Sequence, residues 1–541
     1  MIAMNKLVKV LDSRLTGTFC TFFAIANRII FTTLYSQIGA DTKLQLTYAE
    51  NLIAGKGMGI TKYFTNDLDL PVFDTQQEFP PGFSIVIVPF LKLFGGNEYK
   101  AVMAFDIMVA IFFVIIVRHA GKKAGLPAAL NNIVTLIGGC VQYLFFTTWQ
   151  STEAICVCLL LCSIIQTINI INRKSEITKL GMIGYGLLFF LPFFFRYIYL
   201  PITIFFPLFI FLSGVLLKSS KLKAGGLKIL SFTVLFLTLL FTFSLLTAGN
   251  ALYLVDTERG FFIKQLGLCY PFLPASFISI DFGAQLIQII FGSDHGRFVF
   301  WLSIINPFLL ILFLLLLWKY IRVHKISLLH TNHSLFIFIG SSVSIIILVL
   351  LVWFTVTYKE RASGFFVAEP RYFSFIYAFT PLALFICLYH YRSFLRQRLL
   401  FFLVIIGLCC LTTEVLHGIY YNIKILRGHP SLAYLRESKK RLNSFPTVLK
   451  EIKDHHPGQD VIVCTPEKFY LYAASTLEYK VVFDYANFFQ KKPIVSSKSI
   501  LVVPVQSQNV MLVKEYIEAK KPFLFSVVAG TNFYIEEINP Q

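Results

Sequence analysis

Apolar and polar positions segregate along this chain in blocks. Over roughly the first 420 positions, runs of about 20 apolar residues recur, each long enough to cross a hydrocarbon layer of about 30 Å as a helix. The length rule places spans at 16–37, 99–117, 127–147, 153–172, 180–196, 199–217, 229–248, 298–318, 335–357, 372–390 and 399–420. The pattern predicts a polytopic α-helical membrane protein with about 11 transmembrane helices, because a spanning segment must satisfy its own backbone. A further apolar stretch, 82–94, is too short to span and contains Pro89. It is predicted to lie in the interface as a juxtamembrane helix.

After Tyr420 the blocks end. "DVIVC", "KVVFDY", "SILVVPV" and "PFLFSVV" read as strands, with "PEKFYLYAAS" and "NVMLVKEYIEA" as helices between them. An amphipathic helix precedes them in "HPSLAYLRESKKRLNSFPTVLKEIKDHHPGQ". The expected division is a transmembrane domain, 1–420, which includes a long first external loop at 38–98, and a small external α/β domain, 421–541. The latter holds no phosphate-loop, Rossmann or nuclease motif, and no repeat or low-complexity tract is evident.

Composition agrees with the blocks. The 541 residues are 56% hydrophobic and only 14% charged, against about 25% charged in a soluble domain. A net charge of +19 would suggest nucleic acid in a soluble protein, but the positions of the charges exclude that partner. Basic clusters fall in alternate gaps: Lys6, Lys9 and Arg14; Arg118, Lys122 and Lys123; Arg173, Lys174 and Lys179; Lys218 to Lys228; Lys319, Arg322 and Lys325; Arg392, Arg396 and Arg398. The positive-inside rule assigns these gaps to the cytoplasm, with the N-terminus inside and the C-terminal domain outside, periplasmic in a bacterial inner membrane. The start, "MIAMNKLVKVLDSRLTGTFC", lacks a small-residue cleavage site, so an uncleaved first helix is expected. The ten cysteines show no metal-type spacing.

This topology brings four charges to the external ends of helices: Asp41 after the first span, Glu153 at the start of the fourth, Arg196 at the end of the fifth and Arg371 at the start of the tenth. Charges at that depth are costly against lipid and are expected to face a cavity or solvent. Two guanidinium groups suit a phosphate-bearing lipid, and a carboxylate can act as a general base or hold a divalent ion. Plainer roles stand beside these. Asp41 can cap a helix over 42–54, Glu153 can cap its own helix, and the arginines can snorkel as interface anchors. "AGKGMG" lacks the Lys-Ser/Thr of a P-loop and reads as a helix stop. Arg28, mid-span, is expected to be bonded to another helix, and His455–His456 sit in a polar turn.

Two stretches carry a resemblance. "ADTKLQLTYAENLIAGKG" followed by "PPGFSIVIVPFLKLFGGNEY", with the acid at 153 and "Arg-Tyr" at 371–372, is similar to polyprenol-phosphate-dependent glycosyltransferases of the C-type membrane fold (GT-C). That group holds the protein O-mannosyltransferases, the lipid A aminoarabinose transferase and the rhizobial galacturonosyl transferases. The resemblance implies an inverting membrane glycosyltransferase with a lipid-linked sugar as donor and a glycolipid, glycan or protein as acceptor. It implies Asp41 as base, Glu153 positioning the acceptor, and Arg196 and Arg371 on the leaving phosphate, with Tyr48, Tyr197 and Tyr372 in support. A divalent cation, magnesium or manganese, shared by Asp41 and Glu153 stays open, since many relatives have Asp-Glu where this chain has Asp41–Thr42. The rival class is a transporter or flippase of lipid-linked sugars. Such proteins tend to show repeated halves and mid-membrane sites, which this pattern lacks.

Overall fold

The computed structural model describes residues 13–35, 38–64, 67–75, 79–140, 152–172, 177–248, 272–276, 331–354, 373–390, 449–464, 479–482, 497–505, 524–528 and 531–539, with isolated positions at 301–318, 412–427, 474 and 495. In chain order the first helices are α1 (Arg14–Tyr35), α2 (Ala40–Ile53), α3 (Gly82–Leu93), α4 (Glu98–Lys123), α5 (Ala128–Cys140) and α6 (Thr152–Ile171). They are followed by α7 (Lys179–Phe195), α8 (Leu200–Leu216), α9 (Ser220–Ala248), α10 (Asn332–Phe354) and α11 (Ser374–His390). All except α2 and α3 fall on expected spans. The spans at 298–318 and 399–420, and most of the segment 249–297, lie outside the described residues.

Among the described residues, six helical stretches are long and apolar enough to cross a membrane: Arg14–Thr33, Glu98–Lys123, Thr152–Ile171, Tyr197–Leu216, Ser220–Leu246 and Asn332–Leu350. The chain divides into two compact units. One comprises Met1–Leu34, Phe105–Leu245 and Ala251–Lys424; the other comprises Tyr35–Ala104, Leu246–Asn250 and Ile425–Gln541.

In the first unit α6 is central, packing against α7, α8, α10 and α11. Its apolar window is 78% buried, against 17% for α9. Leu239, Phe243 and Leu246 of α9 are exposed, as suits side chains that meet lipid. Polar residues inside α6 satisfy themselves locally. Ser163 and Thr167 donate to the carbonyls of Leu159 and Ser163 at 2.8 and 2.7 Å. Arg28, buried in α1, is bonded to another helix as expected. Its Nε and Nη2 donate to the Gly138 carbonyl of α5 at 3.0 and 2.8 Å, and the guanidinium lies 4.4 Å from the Phe113 ring centroid of α4. That pairing answers the cost of a cation at this depth.

Glycines let α8 and α9 touch. A Cβ on Gly226 would lie 2.6 Å from the backbone nitrogen of Phe211, and one on Gly214 would lie 2.4 Å from that of Lys223. Backbone cannot give way as a side chain can. Gly226→Ala is therefore expected to force the helices apart and cost about 1–3 kcal/mol. Thermal denaturation in detergent should show a lowered midpoint. Gly225→Ala, whose Cβ would meet only Ile177 Cδ1 at 3.4 Å, is the control and should melt close to wild type.

The second unit is built on a seven-stranded sheet of order β2-β1-β4-β3-β5-β7-β6. Its strands are β1 (Gly59–Phe64), β2 (Asp67–Thr75), β3 (Asp460–Cys464), β4 (Lys480–Val482), β5 (Ser499–Val505), β6 (Leu524–Val528) and β7 (Thr531–Ile538). Strands β4, β3 and β5 are parallel, and β7 pairs antiparallel with both β5 and β6. Both faces are covered: Val461, Val463, Ile500 and Val502 pack on one side, and Ile462, Cys464, Leu501 and Val503 on the other. Two covered faces explain why these strands are unbroken apolar runs rather than alternating ones.

The β1–β2 hairpin comes from the first loop, yet it extends this sheet: Tyr63 of β1 pairs in parallel with Val482 of β4. The linear division at 420 did not draw that connection. The hairpin's outer strand, β2, contains Pro71, which an edge strand tolerates because that position need not donate to a neighbour. In the same unit α3 packs on α2, with Phe83, Ile87 and Leu91 buried and Ile85 and Leu93 exposed. At 12 residues it reaches only about 18 Å, short of a membrane crossing.

Candidate functional site

Asp41 stands in the first turn of α2. The reading of Asp41 as the cap of a helix over 42–54 is corrected. The helix starts one residue before Asp41, and its N-cap is Gly39, extended at φ −76° and ψ 170° with no side-chain bond. Asp41 is half-buried, and its backbone carbonyl accepts from Gln45 Nε2 at 3.1 Å.

The helix is polar but enclosed: Thr42, Lys43, Gln45, Thr47 and Asn51 are all buried. Two of them bond close by. Thr47 Oγ1 donates to the Lys43 carbonyl at 3.0 Å and Asn51 Nδ2 to the Gly59 carbonyl at 2.6 Å. Lys43 forms an ion pair with Glu98, the first residue of α4. This pair went unread in the sequence. A lysine two positions past the acid was visible, but not its partner 55 residues away. Tyr48 lies in an apolar cluster with Leu44 and Ile60, against Phe79.

The helix then stops as "AGKGMG" suggests. Gly55 takes φ +73° and Lys56 N donates back to the Asn51 carbonyl at 2.9 Å, a left-handed stop that favours glycine.

In the first unit the structure joins two of the predicted residues. Helix α7 ends at Phe195, and the Arg196 N–H closes its last turn by donating to the Pro192 carbonyl at 3.0 Å. Arg196 is itself extended, at φ −150° and ψ 120°, before a 3₁₀ turn, Tyr197–Tyr199, leads into α8. The break turns its side chain onto α6. Arg196 Nε donates to Glu153 Oε2 at 2.7 Å, and Nη2 bonds to Oε1. Thr152 Oγ1 also donates to Oε2, at 3.1 Å.

The pair is a fork-to-fork arrangement, with side-chain exposures of 12% for Arg196 and 3% for Glu153. It lies at the first turn of α6, where the helix N-terminus also favours an anion. Tyr197 is half-buried, its ring 5.6 Å from that of Phe193. Arg371 and Tyr372 lie outside the described residues.

The carboxylate of Glu153 does not fit a divalent cation in this arrangement, because a guanidinium covers both of its oxygens. No group of three or more His, Cys, Asp or Glu side chains gathers among the described residues. His455 Nδ1–H donates to the Glu451 carbonyl at 2.7 Å, and His456 lies 3.8 Å from Glu537. Lys498, bonded to that exposed Glu537 carboxylate at 2.7 Å, holds its pKa below the usual range.

No protein-family model and no curated protein matches the chain. Among solved structures it is similar to ArnT from Cupriavidus metallidurans in the apo state. Identity is 12% and the TM-score 0.52, over 97% of this chain and 98% of that one. It is also similar to an Archaeoglobus fulgidus oligosaccharyltransferase in complex with zinc and sulfate, with 10% identity and a TM-score of 0.48, over 95% of this chain and 72% of that one. The end-to-end likeness to ArnT is one of fold. The chain has the fold of ArnT, the C-type membrane fold that its first loop and its Arg-Tyr segment resemble.

Proposed function

We propose that the chain is an integral-membrane glycosyltransferase. It moves a sugar from a polyprenyl-phosphate donor to an acceptor hydroxyl, with inversion, at the external face of a bacterial cytoplasmic membrane. The observation that carries this reading is the fold shared with ArnT over nearly the whole of both chains. A fold hosts more than one chemistry, so the residues must carry the rest.

The acceptor oxygen attacks the anomeric carbon and the bond from that carbon to the phosphate oxygen breaks. The acceptor proton passes to Asp41, and polyprenyl phosphate leaves as an anion. That anion needs cations rather than a strong acid, and Arg196 with Arg371 supplies them. Preorganised donors aimed at developing charge are worth about 3–4 kcal/mol each. The acceptor is a glycolipid, a glycan or a protein.

Purified protein incubated with radiolabelled polyprenyl-phosphate sugars and membrane extract tests the reading. Label appearing in an acceptor, with polyprenyl phosphate released, is the expected result. Lipid-linked sugar that crosses a vesicle membrane unchanged would make the chain a flippase instead.

A further inference from the structure

The Glu153–Arg196 pair has a consequence for how the donor enters. Arg196 offers a planar edge, Nε and Nη2, which is the edge that grips two oxygens of a phosphate. Here the two oxygens belong to Glu153. A carboxylate presents a pair of anionic oxygens at a spacing close to that of a phosphate, so the acid stands where a phosphate's oxygens would sit.

Three further features suit exchange rather than a permanent clamp. Arg196 is the more open partner, at 12% against 3%, so a ligand reaches the guanidinium before the carboxylate. Arg196 sits at the break between α7 and a 3₁₀ turn, in extended backbone, where a side chain can swing without unwinding a helix. Glu153 has somewhere to remain as an anion, held by the Thr152 hydroxyl at 3.1 Å in the first turn of α6.

We infer that Glu153 is a placeholder for the donor phosphate. It keeps the fork of Arg196 aligned and neutralised until a polyprenyl phosphate displaces it. Glu153 is then a positioning residue that acts through Arg196, neither base nor metal ligand. The inference rests on the transferase reading above and adds an order to it: the arginine engages the lipid only by giving up the acid. Because the phosphate must compete with Glu153, the affinity measured for the lipid falls short of the intrinsic one by the fraction of time the fork is free. Neutralising Glu153 should raise that affinity, which no purely structural role predicts.

The test is equilibrium binding of a fluorescent polyprenyl phosphate to purified wild type, Glu153→Gln and Glu153→Asp, with inorganic phosphate titrated alongside. Glu153→Gln keeps the shape and a hydrogen bond to Arg196 but removes the competing charge. Glu153→Asp draws the charge back from the fork and serves if the amide fails to fold. Tightening of roughly tenfold in either folded variant is expected, and it should vanish when Arg196→Lys is added.

If wild type binds the lipid and neither variant binds it more tightly, the placeholder is overturned while the transferase reading stands. If wild type binds no polyprenyl phosphate at all, both fall. If inorganic phosphate matches the lipid in affinity and in gain, the ligand is a free anion and the lipid assignment is overturned.

Discussion

Asp41→Asn is expected to insert and fold like wild type, yet to lose sugar transfer by at least about a hundredfold. The two halves of this expectation come from different observations. Folding survives because Asp41 is not the cap of its helix: Gly39 is. To the first turn of α2 the acid contributes the attraction of one negative charge, about 0.3–1 kcal/mol. Asparagine keeps the volume and the capacity to hydrogen-bond. The backbone carbonyl that accepts from Gln45 at 3.1 Å is unchanged, and the buried ion pair of Lys43 and Glu98 still anchors the helix. Transfer is lost because an amide cannot take the proton of the acceptor hydroxyl. Thermal melting and gel filtration check the first half and a transfer assay checks the second. Near-normal turnover in Asp41→Asn would remove Asp41 from the chemistry. A misfolded variant would make it structural.

Local signals in the sequence were strong wherever a segment settles its structure by its own length and polarity. Apolar runs of spanning length became α1, α4, α6, α8, α9 and α10. The short run with Pro89 became the 12-residue α3. "DVIVC" and "SILVVPV" became strands buried on both faces. Illegible features depended on a neighbouring strand rather than on the segment's own composition. "DLDLPVFDT" has the acids and proline of a loop, and it is a strand because β1 offers an edge that tolerates them. "TNFYIEEI" carries two acids, and it is a strand because β5 and β6 flank it.

The same holds at the site. Topology alone set Glu153 and Arg196 on one side of the membrane. Their fork-to-fork contact follows from α7 ending at Phe195, which leaves Arg196 in extended backbone, a geometric detail that no periodicity carries. Read from the sequence, the two residues have separate roles: Glu153 positions the acceptor or shares a cation with Asp41, and Arg196 binds the leaving phosphate. Their contact makes the roles interdependent.

That interdependence leads to the other large effect. Arg196→Met is expected to lose about 3–5 kcal/mol of stability, because it leaves a buried carboxylate without its counter-charge. Glu153 is 3% exposed, and the Thr152 hydroxyl at 3.1 Å is one neutral donor against a lost guanidinium that supplied two bonds. Adding Glu153→Met removes the stranded charge. The double variant should therefore regain wild-type stability or exceed it, since well-packed apolar pairs often match or better a buried ion pair by about 1–4 kcal/mol. Transfer should not return with it. With the cation gone, the leaving phosphate loses a donor whose removal typically slows turnover by about 10²–10³-fold. Melting curves and transfer rates of wild type, Arg196→Met and the double variant separate two accounts of the pair. A structural clamp predicts that stability and activity recover together. A phosphate-binding arginine held by a placeholder acid predicts that stability recovers alone, and a stable double variant with wild-type turnover would leave the pair no part in the reaction.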